Sequence, residues 1–351
     1  MQGRVPVSVN RMPIHPLQAL FGAHERRHGL PVCDHYAGVE PRMRKALALQ
    51  AEMADRALFD VTLDLEDGAA LGGELEHAAL VAELVSGAGN RFGRVGVRVH
   101  PLQHPRFADV LQLLLERAGH RLAYLMLPKV ADTAELQAAL ATIARGCTAR
   151  GLARSPPVHA LIETHGALRE VAAIAALPGI ESLSFGLMDF VAAHHGAIPA
   201  TGMAGSGQFT HPLVLRAKLE IAAACHAAGK VPSHCVVTEF KDPNVVADAA
   251  RRAARELGYL RMWSIHPNQL QPIIDAFSPD AAEIDTALDI LLAAQAADWA
   301  PTAHHGVLQD RASYRYHWHL LERAERTGQP LPAQARVRFF AMAGEEAAER
   351  L

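Results

Sequence analysis

Seven charged side chains occupy one kind of place in this sequence, at or just past the end of a short apolar run. Asp64, Glu66 and Asp67 finish the run at 59–67, Arg98 lies toward the end of 94–100, Lys129 ends 122–129, Glu163 ends 158–163, and Asp189 follows 180–186. Carboxylates delivered by buried segments are costly unless a partner meets them. Five acids against two bases leave surplus negative charge, and a divalent cation would neutralise it. Glu163 and Asp189 are placed to hold a hard ion; Mg²⁺ characteristically takes one or two carboxylates together with waters and substrate oxygens. Singly, each acid could equally be a helix cap or a salt-bridge partner; the grouping is what points to a metal.

Arg98 stands between Val97 and Val99, whose side chains point the other way on a pleated strand. Its guanidinium could grip a carboxylate through two parallel hydrogen bonds, or pair with Glu66 or Asp67. Lys129 offers a second positive contact, or a salt bridge at a strand end.

The elements that carry these residues alternate. Strand-like runs lie at 31–38, 59–67, 94–100, 122–129, 158–163, 180–186, 234–239 and 262–266. Helical spacing of Leu, Ala and Val fills 72–87, 105–118, 132–146, 166–176, 212–229 and 243–257, and Pro41 opens a further helix, as proline does at a first turn. Eight strands alternating with helices predict a closed (β/α)8 TIM barrel, whose strand ends converge on one mouth where active sites are built. The division predicted is an N-terminal arm over 1–30, a barrel over 31–279 and a C-terminal helical extension over 280–351, with helices at 281–298 and 313–326 and a last stretch around 337–342. Pro6, Pro13 and Pro16 break any helix in the arm, which is read as poorly ordered.

Composition narrows the function classes. A formal charge of -3 over 351 residues, without a basic block, argues against a nucleic-acid partner. No apolar run approaches a membrane span. Cys33, Cys147, Cys225 and Cys235 form neither a CxxC pair nor a disulfide framework, which predicts reduced thiols and a cytoplasmic protein. The glycine-rich 202–207 lacks GxGxxG spacing and reads as an ordinary loop; His194-His195 and His304-His305 lack the spacing of zinc ligands on a helix. No GxSxG elbow is present.

Several segments, in order, resemble the citrate lyase β-subunit and malyl-CoA lyase family within the HpcH/HpaI aldolase group. They are Pro41-Arg42-Met43 with Lys45-Ala46, 63–67 (Leu-Asp-Leu-Glu-Asp), Val97-Arg98-Val99, Leu127-Pro128-Lys129, 161–164 (Leu-Ile-Glu-Thr), Phe185-Gly186 with Asp189, and 264–267 (Ser-Ile-His-Pro) with Gln269. The resemblance implies a Mg²⁺-dependent carbon-carbon lyase acting on a β-hydroxyacyl-CoA such as malyl-, citramalyl- or citryl-CoA, giving an acyl-CoA and a 2-keto acid. It implies Glu163 and Asp189 as metal ligands and Arg98 as the group that binds the keto-acid carboxylate. Asp64, Glu66 and Asp67 would line the same pocket or orient Arg98. The chain departs from the family pattern at His100, where relatives carry Asn, at Arg261-Met262, at 33–36 (Cys-Asp-His-Tyr), and at His317, which aligns with a catalytic aspartate that many relatives lend to a neighbouring subunit. The proton-transferring group therefore stays open. A metal-dependent aldolase on free hydroxy-keto acids without CoA, and a non-catalytic or regulatory barrel subunit, are the competing readings. The helical extension predicts a homo-oligomer.

Overall fold

The protein is described here from a computed structural model covering residues 14–21 and 29–341. Eight parallel strands run in chain order: β1 (Cys33–Ala37), β2 (Asp60–Asp64), β3 (Val95–Arg98), β4 (Leu125–Leu127), β5 (Val158–Ile162), β6 (Ile180–Phe185), β7 (Val231–His234) and β8 (Arg261–Ser264). Each pairs with the next, and β8 returns to β1 to close the barrel. Helices of the outer ring include Glu40–Met53, Glu74–Ser86, Phe107–Ala118, Thr133–Ala149, Pro212–Ala228 and Pro243–Arg255. This is the (β/α)8 TIM barrel read from the alternation of apolar runs.

Local chemistry accounts for the helix ends. Asp132 accepts a hydrogen bond from the Glu135 amide and Asp242 from that of Asn244, while Pro243 occupies the first turn, where no amide hydrogen is needed. The helix Phe107–Ala118 buries Phe107, Val110, Leu111, Leu114, Leu115 and Ala118, a stripe at the three-to-four spacing of one helix face. Residues 202–207 lie between and within two short 3-10 turns, Ala200–Met203 and Gly207–Phe209.

The barrel wall has two unlike faces. Outward residues such as Cys33, Val61, Leu63, Val95, Val97, Ala160 and Ile162 join the main apolar core under the helices. The inward positions are largely polar, although both faces of these strands are buried. Asp60 accepts from Arg94 at 2.7 and 2.9 Å, and Arg261 contacts Asp60 and, at 3.0 Å, Asp34. Thr62 donates to Asp34 at 2.7 Å and the Tyr124 hydroxyl donates to the same oxygen at 3.0 Å. A small apolar cluster of Tyr36, Met126, Leu161 and Trp263 lies within the same barrel.

The seventh strand falls earlier than the run at 234–239 suggested. Pro232 lies inside it, yet its carbonyl still accepts from the Leu260 amide at 3.2 Å, so the proline costs the ladder only its missing donor. The β-branched Val237, which drew the assignment downstream, is instead a buried loop residue.

A second compact unit combines residues 14–21 with the chain from Ser278. Its helices Ala281–Ala296 and Arg311–Arg326 are each opened by a capping box, Asp280 with Glu283 and Asp310 with Ser313. Leu291, Tyr314, Trp318, Leu321 and Phe339 form its core with Leu20. A β-hairpin, Thr302–His304 with Val307–Gln309, joins the two helices and was not foreseen. Pro16 begins a helix, Pro16–Leu20, rather than breaking one, and the His15 ring beside it contacts Trp318 at 5.3 Å and the Phe339 carbonyl at 3.0 Å. That segment is therefore tied to its unit; Pro6 and Pro13 lie outside the described residues. Among the described residues no helix is long and apolar enough to cross a membrane, and all four cysteines are buried and unpaired.

Removing one partner of a buried ion network leaves the other charged and unsolvated. Arg261→Met should therefore lower the unfolding free energy by roughly 3–5 kcal/mol, read as a fall in the urea midpoint; an unchanged midpoint would mean that Asp34 and Asp60 are stabilised by other groups.

Candidate active site

The C-terminal ends of β2 to β6 bring all seven sequence-selected charges into one connected set. Asp64 ends β2 and Arg98 ends β3, directly opposite it in the register. Arg98 Nε donates to Asp64 Oδ1 at 2.6 Å and its terminal nitrogen to Oδ2 at 2.5 Å, while its other nitrogen lies 3.2 Å from Glu66 Oε2. The sequence offered Glu66 or Asp67 as the arginine's partner; Glu66 is one, Asp64 is the principal one, and Asp67 turns to Lys129. The fork once expected to meet a ligand is thus spent on Asp64. Burial alone would disfavour the charged guanidinium, yet the bonds to Asp64 keep its pKa above the ordinary arginine value. Beneath it, the Tyr36 ring centroid lies 5.5 Å from the guanidinium carbon, and Trp263 stacks on Tyr36 at 4.4 Å.

Asp64 also organises the loop that follows. It accepts the Glu66 amide at 3.0 Å and the Gly68 amide at 2.8 Å. A side chain at residue 68 would begin 2.3 Å from Asp64 Oδ2, so the close approach needs glycine.

Lys129 ties the acids together. Its ammonium contacts Glu66, lies 3.0 Å from both Asp67 oxygens, and reaches to 3.9 Å of Asp189. It thereby makes the strand-end salt bridge that the sequence allowed. These bonds hold its pKa up against the burial that would lower it. Burial raises the pKa of Glu66, while the Lys129 hydrogen bond brings Asp67 down despite its own partial burial. The Lys129 backbone is left-handed, with φ of 50°, and its amide donates to Glu163 Oε1 at 2.6 Å.

Glu163, just past β5, is 3% exposed. Burial first, and the nearby Asp189 charge second, push its pKa up to about 8. Gly186 packs against it so closely that a Cβ there would lie 1.9 Å from Oε2. Asp189 stands in the first turn of the short helix Leu187–Ala192 after β6, rather than on a strand, and its side chain is 39% exposed. Two carboxylates at the mouth, one buried and destabilised by the other's charge, form a hard-oxygen donor set suited to a divalent cation. That chemistry fits Mg²⁺.

Sequence reasoning missed Tyr36 and Trp263 as the floor under Arg98. The signal was present: Asp34 with Tyr36, and Arg261 with Trp263, sit two residues apart, the spacing of one strand face.

A closed parallel barrel whose mouth gathers acids, an arginine and a lysine has the architecture of a (β/α)8 enzyme. The chain belongs to the HpcH/HpaI aldolase/citrate lyase family, which its residues 44–267 match, and it is a carbon-carbon lyase. Among curated relatives it is 30% identical to the L-malyl-CoA/beta-methylmalyl-CoA lyase of Cereibacter sphaeroides, over 79% of this chain and 91% of that one. A crystal structure of a citrate lyase from Burkholderia xenovorans is 52% identical, with a TM-score of 0.81 over 94% of this chain and all (100%) of the other. The fold is shared more distantly with CitE of Mycobacterium tuberculosis, solved with magnesium, acetoacetate and coenzyme A, at 22% identity and a TM-score of 0.63, covering 85% and 100% of the two chains.

The raised pKa of Glu163 has a defined sign. Its carboxyl ionises near the ordinary 4.5 when unfolded and near 8 when folded, so cation-free stability is full below 4.5 and is lost as pH rises toward 8. Without divalent cations, Glu163→Gln should exceed the parent protein's stability by roughly 2–4 kcal/mol above pH 8, and the advantage should vanish near pH 4. Urea unfolding at the two pH values checks this; a constant difference would place the effect elsewhere than in ionisation.

Proposed function

We propose that the protein cleaves a β-hydroxyacyl-CoA of the malyl-, citramalyl- or citryl type, or runs the reverse condensation, releasing an acyl-CoA and a 2-keto acid. Mg²⁺ held by Glu163 and Asp189 belongs to this reading. The observation that carries it is the buried Glu163 carboxylate beside Asp189, an arrangement that a bound cation would stabilise. The family membership supports the reaction class, and the malyl-CoA activity named for the Cereibacter relative and the ligands of the Mycobacterium structure support thioester and keto-acid chemistry.

Within this reading each side chain has a separate task. Asp64 fixes the Arg98 guanidinium, whose remaining edge offers positive charge to the carboxylate of the keto-acid portion. Glu66 and Asp67 hold the Lys129 ammonium at the mouth, where it adds to the field that attracts an anionic substrate. The Lys129 amide orients the Glu163 carboxylate. When bound, the divalent ion would supply electrostatic stabilisation of the oxygen that becomes the keto group. The homo-oligomer is carried in the same proposal, and light scattering of the purified protein tests it.

Incubation with malyl-, citramalyl- and citryl-CoA, followed by chromatography of the released acyl-CoA and keto acid, should give turnover with at least one substrate. EDTA should abolish that turnover and added Mg²⁺ restore it. Turnover that survives EDTA would overturn the metal assignment, and cleavage confined to free hydroxy-keto acids would overturn the thioester. Calorimetry of Asp189→Asn should show Mg²⁺ affinity lowered by about 10-fold or more. Arg98→Lys should raise KM for the keto acid and lower kcat by on the order of 10- to 100-fold, because an ammonium cannot keep the planar fork on Asp64 while offering a second edge.

A further inference from the structure

The guanidinium of Arg98 is a flat group, and its hydrogen bonds lie at its rim. Asp64 takes the Nε edge through two of them, and Glu66 approaches a further nitrogen. A fork held on one carboxylate is fixed in the plane of its bonds but can still rock about the line joining the two oxygens. What meets the flat face decides whether it does.

Tyr36 meets that face. Register sets Asp34 against Asp60 and Tyr36 against Thr62, so the ring shares the inward side of the barrel with the strand that ends in Asp64. The Arg98 guanidinium carbon stands over the ring, 5.5 Å from its centroid, within the range at which a cation is drawn to an aromatic face. That attraction is strongest where water is excluded, and the Arg98 side chain is nearly buried. Trp263 stacks on Tyr36 at 4.4 Å with 23° between the planes, and Met126 and Leu161 complete the cluster, so the ring has little freedom to follow a moving side chain. The Tyr36 hydroxyl is enclosed and has no hydrogen-bond partner among the described residues. A hydroxyl buried in that way stabilises nothing and is closed to a ligand. The use of this side chain lies in its ring.

We infer that Tyr36, backed by Trp263, is a positioning residue for the proposed reaction: its ring holds the flat face of Arg98 at the angle that presents the free edge to the keto-acid carboxylate. The inference rests on the function proposed above, in which Arg98 meets that carboxylate.

Three variants separate the ring from the space it fills. Tyr36→Phe keeps the ring without the hydroxyl, Tyr36→Met fills the place with an unbranched apolar chain, and Trp263→Leu leaves Tyr36 without its stacking partner. Calorimetry measures affinity for Mg²⁺ alone, then for glyoxylate, pyruvate and oxaloacetate in saturating Mg²⁺, and KM and kcat are measured in the condensation direction with acetyl-CoA. Tyr36→Met should bind the keto acid about 10-fold more weakly and raise its KM to match, with kcat moving less than KM. Trp263→Leu should lose about 3-fold, and Tyr36→Phe should stay within about 2-fold of the parent. Mg²⁺ affinity should be parental in all three. A loss in Tyr36→Phe equal to that in Tyr36→Met would move the role to the hydroxyl and overturn the inference, as would parental keto-acid affinity in Tyr36→Met. Equal weakening of Mg²⁺ and keto acid would show a general loosening of the mouth and overturn it too. Should Tyr36→Met not fold, parental keto-acid affinity in Trp263→Leu overturns the inference in its place. Arg98→Lys and the parent protein are measured alongside: if the parent binds a keto acid and Arg98→Lys weakens it while Tyr36→Met does not, this inference fails alone and the proposed function stands. If the parent binds none of the three and turns none over, the proposed function fails, and this inference falls with it.

Discussion

The Asp64–Arg98 pair is the interaction on which the mouth of the barrel depends. Asp64 accepts two hydrogen bonds from the guanidinium and two from the backbone of its own following loop. One carboxylate therefore sets the direction of Arg98 and the path of the chain that carries Glu66 and Asp67. Both side chains are nearly excluded from solvent, where a bidentate pair is strong and an unpaired charge is costly. The pair also explains why a basic side chain can sit at the top of a crowded barrel without drifting toward the substrate side: its geometry is settled before any ligand arrives.

The remaining charges divide into a neutralised group and an uncompensated one. Lys129 bridges Glu66 and Asp67 and leans toward Asp189, while Glu163 receives only its backbone amide. That asymmetry comes from the left-handed turn at Lys129, which points the amide one way and the side chain another. A non-glycine residue in that region is unusual and persists where its surroundings over-determine it. Here the determinants are visible on both sides of the residue, so the strain has a structural reason as well as a consequence for the acids.

Much of this was legible in the sequence. Eight apolar runs separated by helical spacing gave the closed barrel, and the charges at the run ends gave the seven residues that now form one connected set. What was not legible turned on pairings across strands. Arg98 was read, from the residues alone, against Glu66 or Asp67, whereas register places it opposite Asp64. The seventh strand was placed too late because Val236 and Val237 outweighed Pro232 in β propensity, although a proline that keeps its carbonyl bond is tolerated in the ladder. Pro16 was read as a breaker because proline starts and ends helices alike; only the Trp318 and Phe339 rings beside His15 decide which. The polar barrel interior escaped notice because Asp34, Asp60 and Arg261 are scattered over 33–36, 59–67 and 261–264 and meet only when the sheet closes.

That interior network is also continuous with the site. Asp60, Thr62 and Asp64 are alternate residues of one strand, so the same inward face carries the half-buried Arg94 and buried Arg261 contacts, then the Asp34 link, then the mouth. The strand works as a plumb line: its lower end is anchored by charge and its upper end hangs the arginine. An oilier barrel centre, the obvious route to a sturdier scaffold, would cut that line, so in this molecule robustness of the core and aim of the active site draw on the same three residues.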